Sequence, residues 1–113
     1  MAFTVTAKNE ALDGVVLGEI RLHSSDPTAT GTAGAIAGAT KVVSYSLSAA
    51  GSRDLTETAA VDIAEANTVV SHFSLWGGGE LKAYKVFTSN AETFANPGTA
   101  NVTTAEITLT DVV

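Results

Sequence analysis

Val69-Val70-Ser71-His72-Phe73-Ser74-Leu75-Trp76-Gly77-Gly78-Gly79-Glu80-Leu81-Lys82-Ala83-Tyr84-Lys85-Val86-Phe87 is the stretch that decides the fold. Two apolar runs of strand length flank three glycines, and such a run between two strand patterns reads as a hairpin loop. Strict alternation puts Val69, Phe73 and Leu75 on one side of the first strand and Val70, His72 and Trp76 on the other. In the second, Leu81, Ala83 and Phe87 oppose Tyr84 and Val86. Both strands are apolar on two faces, so they are expected at the centre of the molecule. A phosphate-cradling glycine loop needs a helix after it and usually a lysine. Here a strand pattern follows, which excludes that chemistry.

Working outward, the same short alternation recurs, with one apolar and one wet face. Phe3 and Val5 alternate with Thr4 and Thr6, and Ile20 and Leu22 with Glu19, Arg21 and His23. Val43, Tyr45 and Leu47 alternate with Ser44, Ser46 and Ser48, and Val61 and Ile63 flank Asp62. Ala105, Ile107 and Leu109 alternate with Glu106, Thr108 and Thr110. Thr6 is a possible cap for one helix over Ala7 to about Val16, which Gly14 weakens; the alternative is a turn. Ser24-Ser25-Asp26-Pro27, Ala49-Ala50-Gly51-Ser52 and Asn96-Pro97-Gly98-Thr99 read as turns. Residues 28–40 contain no large side chain except Ile36 and read as a long loop or extended arm. The pattern predicts a single all-β domain over 1–113: an antiparallel β-sandwich or small barrel of about seven short strands, with at most one short N-terminal helix.

Composition narrows the function. The chain has 113 residues, 12 acidic against 6 basic, and a net charge of -6. Such a surface repels a phosphate backbone, so nucleic acid is not an expected partner. No cysteine is present, which removes disulfides, thiolate metal sites and cysteine nucleophiles. No stretch reaches the roughly 18 apolar residues of a membrane helix, so no membrane is expected as a partner. Met1 to Thr6 lacks the basic and apolar regions of a secretion leader, pointing to a chain made in the cytoplasm.

Catalytic constellations are sparse. His23 and His72 have no set of further ligands at metal spacing, although Asp26 lies three residues from His23. Ser71, His72 and Asp62 make a triad on paper, but neighbours on a strand point to opposite faces and are not expected to meet. No nucleophile elbow is present. The carboxylates, Asp111 among them, are scattered singly. Asn101-Val102-Thr103 matches a glycosylation acceptor but reads as a strand start. The expectation is no enzyme, no cofactor and no metal. Charged residues make up only 16% of the chain, against about 25% in ordinary domains. Large weakly charged areas are then expected to be covered, most simply in a cyclic homo-oligomer, with a trimer favoured.

The order of motifs resembles a family of small tailed-bacteriophage virion proteins, known as tail fibre-like, minor tail or minor capsid proteins. The shared elements are Leu22-His23-Ser24-Ser25-Asp26-Pro27, the Gly/Thr-rich Thr30-Gly31-Thr32-Ala33-Gly34, the strand and turn Val43 to Gly51, Ala59 to Ile63, Val70-Ser71-His72-Phe73-Ser74-Leu75-Trp76, Leu81 to Tyr84, and Ile107-Thr108-Leu109. The chain departs from the pattern in Ala35 to Thr40, where the family carries a tyrosine-containing segment, and in a short loop after Trp76. The resemblance implies a β-sandwich virion component without catalysis, located in the virion and made in the host cytoplasm.

The expected role is a capsid decoration or minor capsid protein on the outside of the head, whose partners are the major capsid protein or other virion proteins. The alternative is a tail-fibre or minor tail domain that binds a host surface, using Trp76 and Tyr84 in an exposed groove. Thr30, Gly31, Thr32, Ala33, Gly34 and Ile36 are the expected partner contacts. His72, Phe73, Leu75, Trp76 and Tyr84 are expected in core or subunit packing.

Overall fold

The computed structural model describes residues 3–87 and 91–109. Helix α1 (Val5–Asp13) comes first. Strands follow as β1 (Glu19–His23), β2 (Ala35–Val42), β3 (Ser52–Arg53), β4 (Ala59–Ile63), β5 (Thr68–Val70), β6 (His72–Gly77), β7 (Glu80–Val86), β8 (Glu92–Phe94), β9 (Gly98–Val102) and β10 (Ile107–Thr108). All the pairings are antiparallel. The main sheet has the order β2-β1-β6-β7, and three two-stranded sheets pair β10 with β3, β4 with β9 and β5 with β8. The molecule is a mostly β, open arrangement of antiparallel sheets, not a closed barrel, with more and shorter strands than the seven expected.

The glycine stretch forms the hairpin read from the sequence. Gly78 (φ 59°) and Gly79 (φ 77°) are its two loop residues, both in the left-handed region that a type I′ turn requires. Gly77 serves a different purpose: a Cβ there would lie 1.9 Å from the Val16 carbonyl oxygen. The 14–18 segment crosses the end of β6 at this point, and the Gly18 N–H donates to the Trp76 carbonyl (2.9 Å).

The core lies on one face of the main sheet. Ile20, Leu22, Ala39, Phe73 and Leu75 pack with Ala59, Val61 and Ile63 of β4 and Ala100 and Val102 of β9. β4 alternates buried and exposed residues throughout its length, with Val61 opposite Ala100. Val70 joins this core while Val69 is exposed. The expected alternation through 69–76 therefore breaks at Ser71, where the chain bends from β5 into β6. A second break falls in β7. The register steps from Leu75–Ala83 to Trp76–Leu81, leaving Lys82 as a bulge. Leu81 thus shares the face of Trp76 and Tyr84 instead of opposing Tyr84.

Two further segments differ from the alternation. The stretch Phe3 to Thr6 enters the helix instead of a strand, and the cap is Thr4, whose hydroxyl accepts from the Ala7 N–H (3.1 Å). Four residues of alternation carry less weight than a good cap followed by Ala7, Lys8, Glu10, Ala11 and Leu12. The helix buries only Leu12, so polar bonds hold it. The Arg53 guanidinium donates to the Leu12 and Val15 carbonyls (2.7 and 2.8 Å), Ser48 Oγ donates to the Asn9 carbonyl, and the Gly51 N–H donates to Asn9 Oδ1. Asp13 accepts from the Ser48 N–H (2.8 Å), which holds its carboxyl below the usual range. The segment 43–48 makes only the single bridge Tyr45–Leu55, with Tyr45 Oη donating to the Ala105 carbonyl (2.6 Å). In the closing strand only Ile107–Thr108 pair, and Thr110 and Asp111 lie outside the described residues.

Candidate interaction site

The main sheet has a second face, built by Glu19, Arg21 and His23 of β1, His72, Ser74 and Trp76 of β6, and Leu81, Tyr84 and Val86 of β7. Register places these residues directly opposite one another: Glu19 with Trp76, Arg21 with Ser74, His23 with His72, and Ser74 with Tyr84. Opposed residues in an antiparallel pair share a face.

Part of this face is covered by the chain itself. Residues 24–34 leave β1 and return to β2 as a folded loop whose ends meet, the Ser24 N–H donating to the Gly34 carbonyl (2.9 Å). Asp26 Oδ1 accepts from the Thr28 N–H (2.8 Å), which sets the turn after Pro27. The hydroxyls of Thr28, Thr30 and Thr32 link to one another along the loop. Gly31 (φ 71°) presses on Trp76 and Leu81, and a Cβ there would lie 2.8 Å from atoms of both side chains.

Beneath the loop sits a fully buried histidine. His23 Nδ1 lies 2.9 Å from the Ala33 carbonyl, and Nε2 lies 2.7 Å from Ser74 Oγ. Trp76 Nε1–H donates to the same Ser74 oxygen (2.8 Å). A carbonyl only accepts, so Nδ1 carries the hydrogen and Nε2 accepts from the Ser74 hydroxyl. Every polar atom of the chain Trp76–Ser74–His23–Ala33 is then satisfied by a neutral imidazole. Burial lowers the pKa of His23, and electrostatic repulsion between its charged form and the neighbouring His72 and Arg21 lowers it further, against the opposing pull of the Ala33 carbonyl. The Arg21 guanidinium stacks on Trp76, 3.9 Å from the ring centroid, and also pairs with Glu19.

The expected partner contacts now have places. Residues 28–40 are not a free arm: 28–34 belong to the folded loop, and 35–40 run in β2, paired to β1. Small side chains there suit a strand whose outer face is exposed, because β1 supplies the hydrogen bonds. Gly31 is buried, Ala33, Gly34 and Ile36 are half-buried, and Ile36 packs against the core. Only Thr30 and Thr32 stay on the surface. Of the second group, Phe73 and Leu75 are core, His72 and Trp76 are half-buried, and Tyr84 is exposed.

Ser71 and His72 do meet, contrary to the strand rule, because the bend at Ser71 abolishes the alternation. Ser71 Oγ and His72 Nδ1 share a hydrogen bond (2.8 Å). Asp62, the paper triad's acid, stands on β4 in the pairing with β9, opposite Thr99, its side chain exposed, and does not join them. Among the described residues, no three His, Asp or Glu side chains gather as metal ligands.

Several large apolar side chains remain exposed. Tyr84 (43%) and Val86 (52%) lie uncovered beside the loop, Val42 (81%) at the opposite edge of the sheet, and Leu47 (79%) near the helix. Sequence reasoning missed Ser74, Arg21 and Arg53, whose roles depend on partners brought in by the fold. The one signal was a serine and an arginine within strands otherwise destined for the centre.

No family model, curated protein or solved structure matches the chain. Among the described residues, no helix is long and apolar enough to cross a membrane.

Proposed function

We propose that the chain is a non-enzymatic structural protein of a tailed-bacteriophage virion, a decoration or minor capsid subunit carried on the outside of the head. The observation that carries this reading is the sparsely charged surface with Val42, Leu47, Tyr84 and Val86 exposed on a small core. Where such side chains lie side by side, as Tyr84 and Val86 do on one face of β7, they offer a neighbour apolar surface to cover. Many copies on a symmetric lattice bind firmly through small individual contacts.

Two of the motifs that resemble virion proteins also support it. Leu22-His23 of the first pairs residue for residue with His72-Phe73 of the second, and the loop between 24 and 34 closes over both. The motifs thus form one framework element, as expected where a shared pattern encodes a scaffold and not a reaction. The geometry favours this role over host-glycan binding. A sugar platform needs a free aromatic face, and a Trp76 face is occupied by Arg21 while Tyr84 stands without a second exposed aromatic of the main sheet.

Copy number tests the proposal. Quantitative mass spectrometry of purified particles is expected to find the chain in numbers comparable with the capsomers. A handful of copies would indicate the tail, and absence from the particle would overturn a virion role.

A further inference from the structure

We propose that loop 24–34 is an acid-released latch: it stays closed over the sheet while the His23 imidazole is neutral, and protonation of that ring frees the loop and leaves the rest of the fold standing.

The hydrogen-bond directions set the condition. His23 Nδ1–H is committed to the Ala33 carbonyl, and Nε2 is the acceptor for Ser74 Oγ–H. A proton arriving on Nε2 turns an acceptor into a donor. Ser74 Oγ already receives Trp76 Nε1–H, so its own hydrogen must leave Nε2 and find a new partner inside a fully buried site.

The charges nearby do not help the cation. On its own strand His23 shares a face with Arg21, and across β6 it faces His72. The neighbouring carboxylates are engaged elsewhere, Glu19 with Arg21 and Asp26 with the Thr28 N–H. β2 opposes His23 with Ala35, which brings no charge. Burial disfavours the charged ring, and His72 and Arg21 add to that. Opening of the loop hydrates the ring and removes the penalty.

The release is local because the loop and the core lie on opposite faces of the sheet. Ile20, Leu22, Phe73 and Leu75 point to the other side. Most hydrogen bonds of 26–32 are internal to the loop. The loop is held down by the Ala33–His23 bond, by the seat of Gly31 on Trp76 and Leu81, and by the fully buried side chain of Pro27. Opening extends the exposed stripe of Tyr84 and Val86 to Leu81 and Trp76.

The sign follows from linkage. A histidine with a lowered pKa in the closed state favours closure above the free value of about 6.5 and loses that preference as pH falls. The open-to-closed ratio then rises by up to about tenfold per pH unit below about 6.5.

Amide hydrogen exchange of the intact chain between about pH 7.5 and about pH 5.5, corrected for intrinsic rates, tests this. The expected result is loss of protection at Ser24, whose N–H closes the neck of the loop on the Gly34 carbonyl, by up to about tenfold per unit, with 59–63 unchanged. A loop that keeps its protection, or a loop and β4 that lose it by the same factor, would overturn the proposal. His72→Gln is expected to keep the response; abolition there assigns it to His72 and refutes the latch. His23→Gln is expected to make exchange insensitive to pH over this range. Should that variant not fold, ring-nitrogen NMR of the native chain decides: His23 titrating at or above about 6.5 contradicts the proposal, and a ring still neutral there supports it.

Discussion

Replacing Gly77 with alanine puts the crossing of the 14–18 segment over β6 to a severe test. The new methyl carbon would lie 1.9 Å from the Val16 carbonyl oxygen, 2.5 Å from its carbon and 3.1 Å from the Leu17 nitrogen. All three are backbone atoms, so no side chain can rotate out of the way, and the segment must retreat by at least about 1 Å. That retreat stretches the bond from the Gly18 N–H to the Trp76 carbonyl (2.9 Å) and the one from the Val43 N–H to the Gly18 carbonyl (3.0 Å). Overpacking costs about 1–3 kcal/mol and each lost hydrogen bond about 1 kcal/mol, so a loss of about 2–5 kcal/mol is expected. Against a total of about 5–15 kcal/mol, this is a large fraction and readily measured by urea unfolding. Gly78→Ala is the internal control. It has open space around it and a φ of 59°, so only the left-handed strain of about 1–2 kcal/mol applies. Gly78→Asn should be nearly neutral, since the type I′ turn accepts asparagine at that position. A Gly77→Ala variant no less stable than Gly78→Ala would refute the crossing.

Arg53→Met removes the donors to the Leu12 and Val15 carbonyls and to Ser46; α1, which buries only Leu12, should lose helical circular dichroism, with about 2–3 kcal/mol of stability lost. Stability against pH should be flat above about 6.5 and fall below it, because His23 is held neutral in the fold while the unfolded chain takes up a proton. A second fall below about pH 4 involves Asp54. Burial pushes that carboxyl up, but hydrogen bonds from Thr104, Ala105 and Leu55 outweigh it and hold it low; Asp13, held low by Ser48, adds to the same step, so Asp54→Asn should shrink it in acid-unfolding curves without abolishing it. Val86→Ser and Leu47→Ser, both exposed, should change monomer stability by no more than about 0.5 kcal/mol while weakening self-association in analytical ultracentrifugation.

The hairpin was legible because glycine and apolar alternation are both local signals, and two adjacent glycines at positive φ admit few other turns. The framework of β1, β4 and β6 was legible for the same reason. The bulge at Lys82 and the bend at Ser71 were not, since each depends on what lies across the sheet. Their consequences are concrete: Leu81 joins Trp76, Val70 joins the core, and Ser71 reaches His72. The stretch 35–40 lacks the large side chains that mark a strand, yet β1 recruits it as an edge and needs only Ile36 and Ala39 to pack inward. The buried network was hidden more deeply. His23 and Ser74 are 51 residues apart, and Arg53 lies 41 from the Leu12 carbonyl it caps. Neither pairing leaves a mark in the local pattern.

The most direct test of the virion account is a cryo-electron map of intact particles that carry this chain. The account predicts density on the outer surface of the capsomers, contacting the shell or a neighbouring copy through the side chains exposed in the monomer. Density confined to the tail, or a particle that contains none of it, would contradict that claim.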